Sequence, residues 1–283
     1  MNPHRRPRKI LILLLVMTMI SISAAYTTHT QNQVSIPILL YHDIQESGEG
    51  ESIIARKVFL SHLDAIQEAG YETITFQQII NFVSHGGSLP EKPILITFDD
   101  GYLSNYEIAW PALQEREMVG TIFVIGCSVG KDTYKDTEVP IIPHFTYQQA
   151  REMIDSGVMS IQSHTYDLHQ YRPLEPDGGR EGVLPKAGET AESYRKILSY
   201  DFQLARETLE EHTGETVQVL AYPYGLHTLD SETISAEMGF SVTLTTQMET
   251  ALLRRGDPAS LRLMGRYSID DCPWQELLAQ IQS

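Results

Sequence analysis

Pro93-Ile94-Leu95-Ile96-Thr97-Phe98-Asp99-Asp100-Gly101 is an almost unbroken apolar run that ends on two adjacent carboxylates and a glycine. A segment apolar on both of its alternating faces has the pattern of a strand buried within a parallel sheet. Two acids where such a strand emerges are costly through desolvation and mutual repulsion, so a cation or a proton must relieve them. Outward from this stretch, apolar runs of strand length alternate with helical spacing. Residues 35–41, 121–125, 160–162, 217–221 and 241–244 read as further strands. Phe59, Leu63 and Ile66 form one helical stripe ending at Gly70, and Leu198, Phe202, Ala205 and Leu209 form another ending near Gly214. Six or seven β-α alternations within one domain point to an α/β architecture, either a barrel or a doubly wound sheet.

The chain's 283 residues are 42% hydrophobic and 20% charged, which excludes disordered and disulfide-scaffold classes. With 37 acidic against 21 basic side chains and a net charge of −16, nucleic acid is not an expected partner. Two cysteines, Cys127 and Cys272, are too few for a zinc ribbon or a disulfide framework. A disulfide between them and two separate thiols both stay open. Arg5, Arg6, Arg8 and Lys9 precede an apolar stretch over 10–22 and the small residues Ser23-Ala24-Ala25. Residues 1–25 therefore read as a secretory signal cut after Ala25, with an uncleaved N-terminal anchor as the alternative. Either way residues 26–283 are expected outside the cytoplasmic membrane, touching it only through residues 1–25 if these are retained. Cleavage would remove four bases and no acid, taking the net charge from −16 to −20. Residues 170–190 lack periodicity and are rich in Gly, Pro and charge, as in a loop that lines a binding site or a plain excursion.

Ser163-His164-Thr165-Tyr166-Asp167-Leu168-His169 follows the short strand at 160–162. Imidazole nitrogen together with carboxylate oxygen suits a borderline divalent ion such as zinc. Strand C-termini of a β/α fold meet on one face, so Asp100, His164 and His169 can converge despite their separation in the chain. Two histidines and one carboxylate leave coordination positions open, as catalysis requires. The spare acid, Asp99, is then placed to act as general base. Ala221-Tyr222-Pro223-Tyr224-Gly225 ends another apolar run, and such a turn can aim a backbone N–H at an oxyanion.

These three motifs, in this order, resemble the first three motifs of the polysaccharide deacetylases, carbohydrate esterase family 4 or the NodB-homology domain, over roughly residues 34–272. The resemblance implies a distorted (β/α) barrel of about seven parallel strands forming a single domain over 26–283. It further implies a divalent metal, zinc first with cobalt or nickel as alternatives, and hydrolysis of N-acetyl groups on a sugar polymer. Carried over by residue, Asp100, His164 and His169 are the metal ligands, Asp99 the base, and the Tyr224 N–H a donor to the oxyanion. Two departures stand out. The Arg that usually opens the third motif is Ala221, and the usual Leu-x-His is absent from Leu261-Arg262-Leu263-Met264-Gly265-Arg266-Tyr267-Ser268-Ile269. His42, in Leu40-Tyr41-His42-Asp43-Ile44, is the leading substitute acid and His227 the second, while Arg266 is the candidate to replace the missing Arg. Tyr41-His42-Asp43-Ile44 and the Ala221–Gly225 motif look more like poly-N-acetylglucosamine deacetylases of biofilm matrices than the cell-wall enzymes. The expectation is a secreted, cell-surface deacetylase of an N-acetylated polysaccharide. A peptidoglycan N-acetylglucosamine deacetylase and a non-catalytic glycan-binding protein are the alternatives.

Overall fold

The computed structural model describes residues 32–50, 52–269 and 273–281. The targeting segment expected at 1–25 and Cys272, and with it the choice between a disulfide to Cys127 and two separate thiols, lie outside the described residues. The strands are β1 (Gln33–Ile36), β2 (Ile38–Tyr41), β3 (Asp43–Gln45), β4 (Ile53–Ala55), β5 (Glu72–Thr73) and β6 (Pro93–Phe98). They continue with β7 (Gly120–Val124), β8 (Met159–Ser163), β9 (Val219–Ala221), β10 (Val242–Leu244), β11 (Ala251–Arg254) and β12 (Tyr267–Ser268). The helices are α1 (Arg56–Glu68), α2 (Phe76–His85), α3 (Trp110–Glu115), α4 (Tyr147–Asp155), α5 (Ala191–Thr213), α6 (Leu229–Glu237) and α7 (Trp274–Ile281).

The main sheet runs β10-β9-β8-β7-β6-β2-β12, every neighbour parallel, with β5 beside the first residues of β6. These seven strands curl into the expected distorted (β/α) barrel. One short stretch touches both edges of the curl: Met264 bridges Leu244 of β10, and Tyr267 pairs with Leu39 of β2. The strand expected over 35–41 is instead two. Pro37 has no N–H to give to a ladder, so β1 pairs antiparallel with β11 in a separate sheet while β2 enters the barrel.

All six residues of β6 are buried, and its two faces serve two cores. Ile94, Ile96 and Phe98 pack with the α1 stripe of Phe59, Leu63 and Ile66 and with the α5 stripe of Leu198, Phe202 and Leu209. Leu95 joins Ile38, Phe123, Ala221 and Leu244 on the other face. The helices are set by local chemistry. Thr75 and Gln78 form a capping box at the start of α2, and α5 runs from the Thr190 cap to Gly214 in the left-handed conformation. Among the described residues no helix is long and apolar enough to cross a membrane. Because the barrel strands are parallel, the residues just after β2, β6, β8 and β9 share one rim.

Candidate metal centre and active-site cleft

Three chemically loaded strand ends make a sharp turn through a residue with positive φ: Asp100 (72°) after β6, Thr165 (72°) after β8 and Tyr224 (58°) after β9. Non-glycine residues held in this region store strain, which persists where surrounding contacts fix the turn. Gly101 follows at φ 86°, and a Cβ there would lie 2.8 Å from Val124 Cγ1, so both its conformation and its neighbour demand glycine. The neighbouring backbone locks these ends together. Asp99 N–H donates to Tyr41 O at 2.9 Å, and His164 N–H donates to Val124 O at 2.9 Å.

The structure brings Asp100, His164 and His169 together, with donor atoms all within 4.8 Å of one another. His164 Nε2 lies 3.7 Å, and His169 Nε2 3.6 Å, from the same Asp100 Oδ1. That oxygen is buried and has no hydrogen-bond partner among the described residues. The far nitrogens of both rings are engaged: His164 Nδ1 with Ala221 O at 2.8 Å, and His169 Nδ1 with the Tyr224 hydroxyl at 3.4 Å. Both imidazoles are thereby turned with Nε2 toward one orphaned carboxylate oxygen, the support that metal-binding histidines require. The donor set of two nitrogens and one oxygen, with an unsatisfied buried acceptor at its centre, fits a divalent ion of the zinc type.

Asp99 sits 3.8 Å from His164 Nε2 and is held from behind by Arg266. Two parallel bonds, Nη1 to Oδ1 at 2.7 Å and Nη2 to Oδ2 at 2.8 Å, join the guanidinium to the carboxylate. Arg266 is fully buried, with Nε donating to Thr245 O at 3.1 Å and the guanidinium over the Phe123 ring. Burial alone would raise the Asp99 pKa, but Arg266, His164 and His42 outweigh it and hold the carboxyl below its usual range. Burial likewise opposes ionisation of Asp100, and His169, His42 and His164 reverse that. Burial drives His164 down to about 4, against the pull of Asp99 and Asp100, so near neutral pH its ring is the uncharged, ligating form.

His42 follows β2 on the same rim. Its ring lies near enough to act electrostatically on both aspartates, and its carbonyl accepts a 2.9 Å bond from Asn105 Nδ2. His227, in contrast, is turned to the surface, where Nδ1 engages Gly225 O and the ring lies beside Tyr222, whose hydroxyl bonds Glu232 behind the strand. The Tyr224 ring covers His169 at 4.4 Å between centroids, a contact the reading of its backbone N–H did not foresee. A cleft of about 480 Å³ opens over Asp100 and His169. The irregular 170–190 segment contributes Gln170, Tyr171 and Leu174 to its wall. The rest of that segment is tied down by the buried Arg180–Glu189 ion pair.

One wall residue was missed in the sequence. His144 is 8% exposed, and neither ring nitrogen has a hydrogen-bond partner among the described residues. Burial lowers its pKa despite the pull of Asp100. It lies in an irregular connection with no periodic signal, and its backbone pairing opposite Tyr102 places it.

Comparison with known proteins follows the same lines. A family model described as polysaccharide deacetylase matches residues 86–243. YxkH of Bacillus subtilis (strain 168), a provisionally named polysaccharide deacetylase, is 29% identical over 228 residues, covering 80% of this chain and 70% of that protein. The poly-β-1,6-N-acetyl-D-glucosamine N-deacetylase of Escherichia coli (strain K12) is 29% identical over 175 residues, 56% of this chain, which spans only 26% of that enzyme. Among solved structures, IcaB from Ammonifex degensii superposes with a TM-score of 0.72 at 28% identity, covering 88% of this chain and 97% of that one.

Proposed function

From the premise that this chain belongs to the polysaccharide deacetylase family, and is thus a hydrolase of amide bonds, we propose that it removes N-acetyl groups from N-acetylglucosamine units of extracellular poly-β-1,6-N-acetylglucosamine. The names of similar proteins support that polymer. The observation that carries the reading is the orphaned Asp100 Oδ1 facing two Nε2 atoms beside an Arg-locked carboxylate. Asp100, His164 and His169 hold a divalent ion, zinc first, with cobalt or nickel as substitutes. When bound, such an ion supplies electrophilic polarisation of water and of the acetamide carbonyl.

The chain's own groups do the rest. Asp99, kept ionised by Arg266 despite its burial, takes the proton of the attacking water. The backbone N–H of Tyr224 donates to the developing oxyanion. His42 gives a proton to the departing amine, replacing the histidine missing from 261–269. Acetate leaves and the sugar keeps a free amine, which is cationic near neutral pH. The expected net charge of −20 after loss of residues 1–25 suits a surface enzyme that holds such a product loosely.

Acetate release from purified poly-β-1,6-N-acetylglucosamine and from peptidoglycan, before and after chelation and with zinc, cobalt or nickel restored, tests the assignment. The expected result is release from the first polymer, abolished by chelator and recovered with metal. Release from peptidoglycan alone would reassign the substrate, and saturable binding without acetate at any metal supply would make the protein a glycan-binding module.

A further inference from the structure

We propose that His144 is a sugar-binding residue of the cleft, its imidazole hydrogen-bonded to a hydroxyl of the amino-sugar unit whose acetamide faces Asp100 and His169. The backbone fixes its position. Residues 143–145 run antiparallel to the turn after Asp100, with Leu103 N–H donating to Pro143 O at 2.7 Å, Phe145 N–H to Gly101 O at 3.2 Å and His144 N–H to Lys131 O at 2.9 Å. The ring packs on Tyr102 at 5.1 Å and borders the same cavity as Asp100 and His169. Neither ring nitrogen meets hydrogen-bond geometry with a described residue, although the carbonyls of Ile142 and Lys131 lie close enough to favour its protonated form. Buried polar atoms nearly always find a partner, so two unpartnered nitrogens on one buried ring at a cleft wall call for one from the ligand.

The chemistry of the cleft selects that ligand. Ile125, Ile142, Leu174 and the half-exposed Tyr171 and Tyr224 offer flat apolar surface. A pyranose presents apolar C–H faces to such walls and hydroxyls around its edge. A neutral imidazole has one donor and one acceptor, and a hydroxyl matches either. A mostly apolar wall with few fixed polar groups is the usual form of a small-ligand site. A role on the metal is disfavoured by geometry, since the donors close enough to share an ion are Asp100, His164 and His169.

The inference rests on the deacetylase reading, and binding measured apart from turnover separates the two. In the zinc-loaded full chain, His144→Phe should raise KM for a β-1,6-linked N-acetylglucosamine pentamer about five- to tenfold, the loss of one neutral hydrogen bond. The fall in kcat should be smaller, with zinc content retained, and His144→Gln should recover most of the KM. In an Asp99→Asn background, where turnover is blocked, calorimetric affinity for the pentamer should drop by the same factor on adding His144→Phe. If phenylalanine unfolds the chain, His144→Ala, which only enlarges the cavity, takes its place. Equal pentamer affinity with and without the imidazole would overturn the proposal, as would loss of zinc. Weakened binding in a protein whose parent chain releases no acetate would uphold it and defeat the deacetylase reading instead.

Discussion

Replacing Arg266 by Met is the most searching test of how the site keeps Asp99 ionised in a buried place. Arg266 and Asp99 are 0% and 3% exposed, and their two charge-assisted bonds measure 2.7 and 2.8 Å. At an effective dielectric near 20, charges about 4 Å apart attract by about 4 kcal/mol. Removing one partner of a buried pair typically costs about 3–5 kcal/mol of stability. Asp99 is held below its ordinary range, so its pairing stabilises the fold above the unfolded-state pKa and is lost as pH falls through the folded one. The stability difference between wild type and Arg266→Met should therefore be largest near neutral pH and narrow in acid. Turnover follows the same sign. Without Arg266, burial is opposed only by the imidazoles, Asp99 binds its proton more tightly, and the acid limb of kcat/KM moves to higher pH. Each ~1.4 kcal/mol of lost compensation is a factor of ten, so kcat/KM at pH 6 should fall about ten- to a hundredfold and recover toward wild type at pH 8. Acetate release across that range, on protein with verified zinc content, measures it, and Arg266→Lys should lie between. A folded, zinc-loaded Arg266→Met enzyme whose pH profile superposes on the wild type would refute the assignment of Asp99 as an Arg-tuned base.

Asp99→Asn should keep zinc and lose about 10²–10⁴ in kcat, whereas His164→Ala should lose both, checked by metal analysis beside acetate release. Asp201 accepts the Tyr166 and Asp167 N–H groups at 2.9 and 2.7 Å, bracing the turn between the two imidazoles, and Asp201→Asn should weaken zinc binding about ten- to a hundredfold in competitive titration. Burial pushes the Asp201 pKa up to about 7, so the native state keeps this proton where the unfolded chain has lost it; the wild type should lose stability relative to Asp201→Asn between about pH 4 and 7, read from urea melts at pH 5 and 8. Gly101→Ala, forced into left-handed φ with a Cβ 2.8 Å from Val124 Cγ1, should cost about 1–3 kcal/mol in thermal unfolding.

How much of this was legible follows from what each residue's signal depends on. Strand ends bearing acids and imidazoles are local patterns, and parallel topology then dictates that they meet, so Asp99, Asp100, His164 and His169 could be selected before any coordinates existed. The break at Pro37 was equally local, yet the apolar run from 35 to 41 masked it, because a missing N–H matters only once a ladder is drawn. The 170–190 segment was half legible: its lack of periodicity marked it as a loop, but which residues reach the cleft depends on tertiary contacts such as the Tyr171 N–H bond to the Tyr134 hydroxyl.

His144 exposes the limit more sharply, since it acts by tertiary placement with no pattern of its own, whereas Arg266 could be named from the sequence as the substitute for the arginine missing at Ala221 and the fold sets it behind Asp99. A buried Asp99 carboxylate needs a cation behind it, and the position expected to supply one is Ala221, at the end of β9. Arg266 meets the same requirement from the stretch that joins β10 to β12 and touches both edges of the barrel. A buried carboxylate beside two imidazoles constrains the charge around it and leaves open which strand delivers that charge. Ala221 keeps a part in the site all the same, because its carbonyl fixes the His164 tautomer. The physical demand at the rim is therefore a better guide than the motif position. It says that an Arg must arrive at Asp99, and that the unpaired nitrogens of His144 must meet something that enters the cleft.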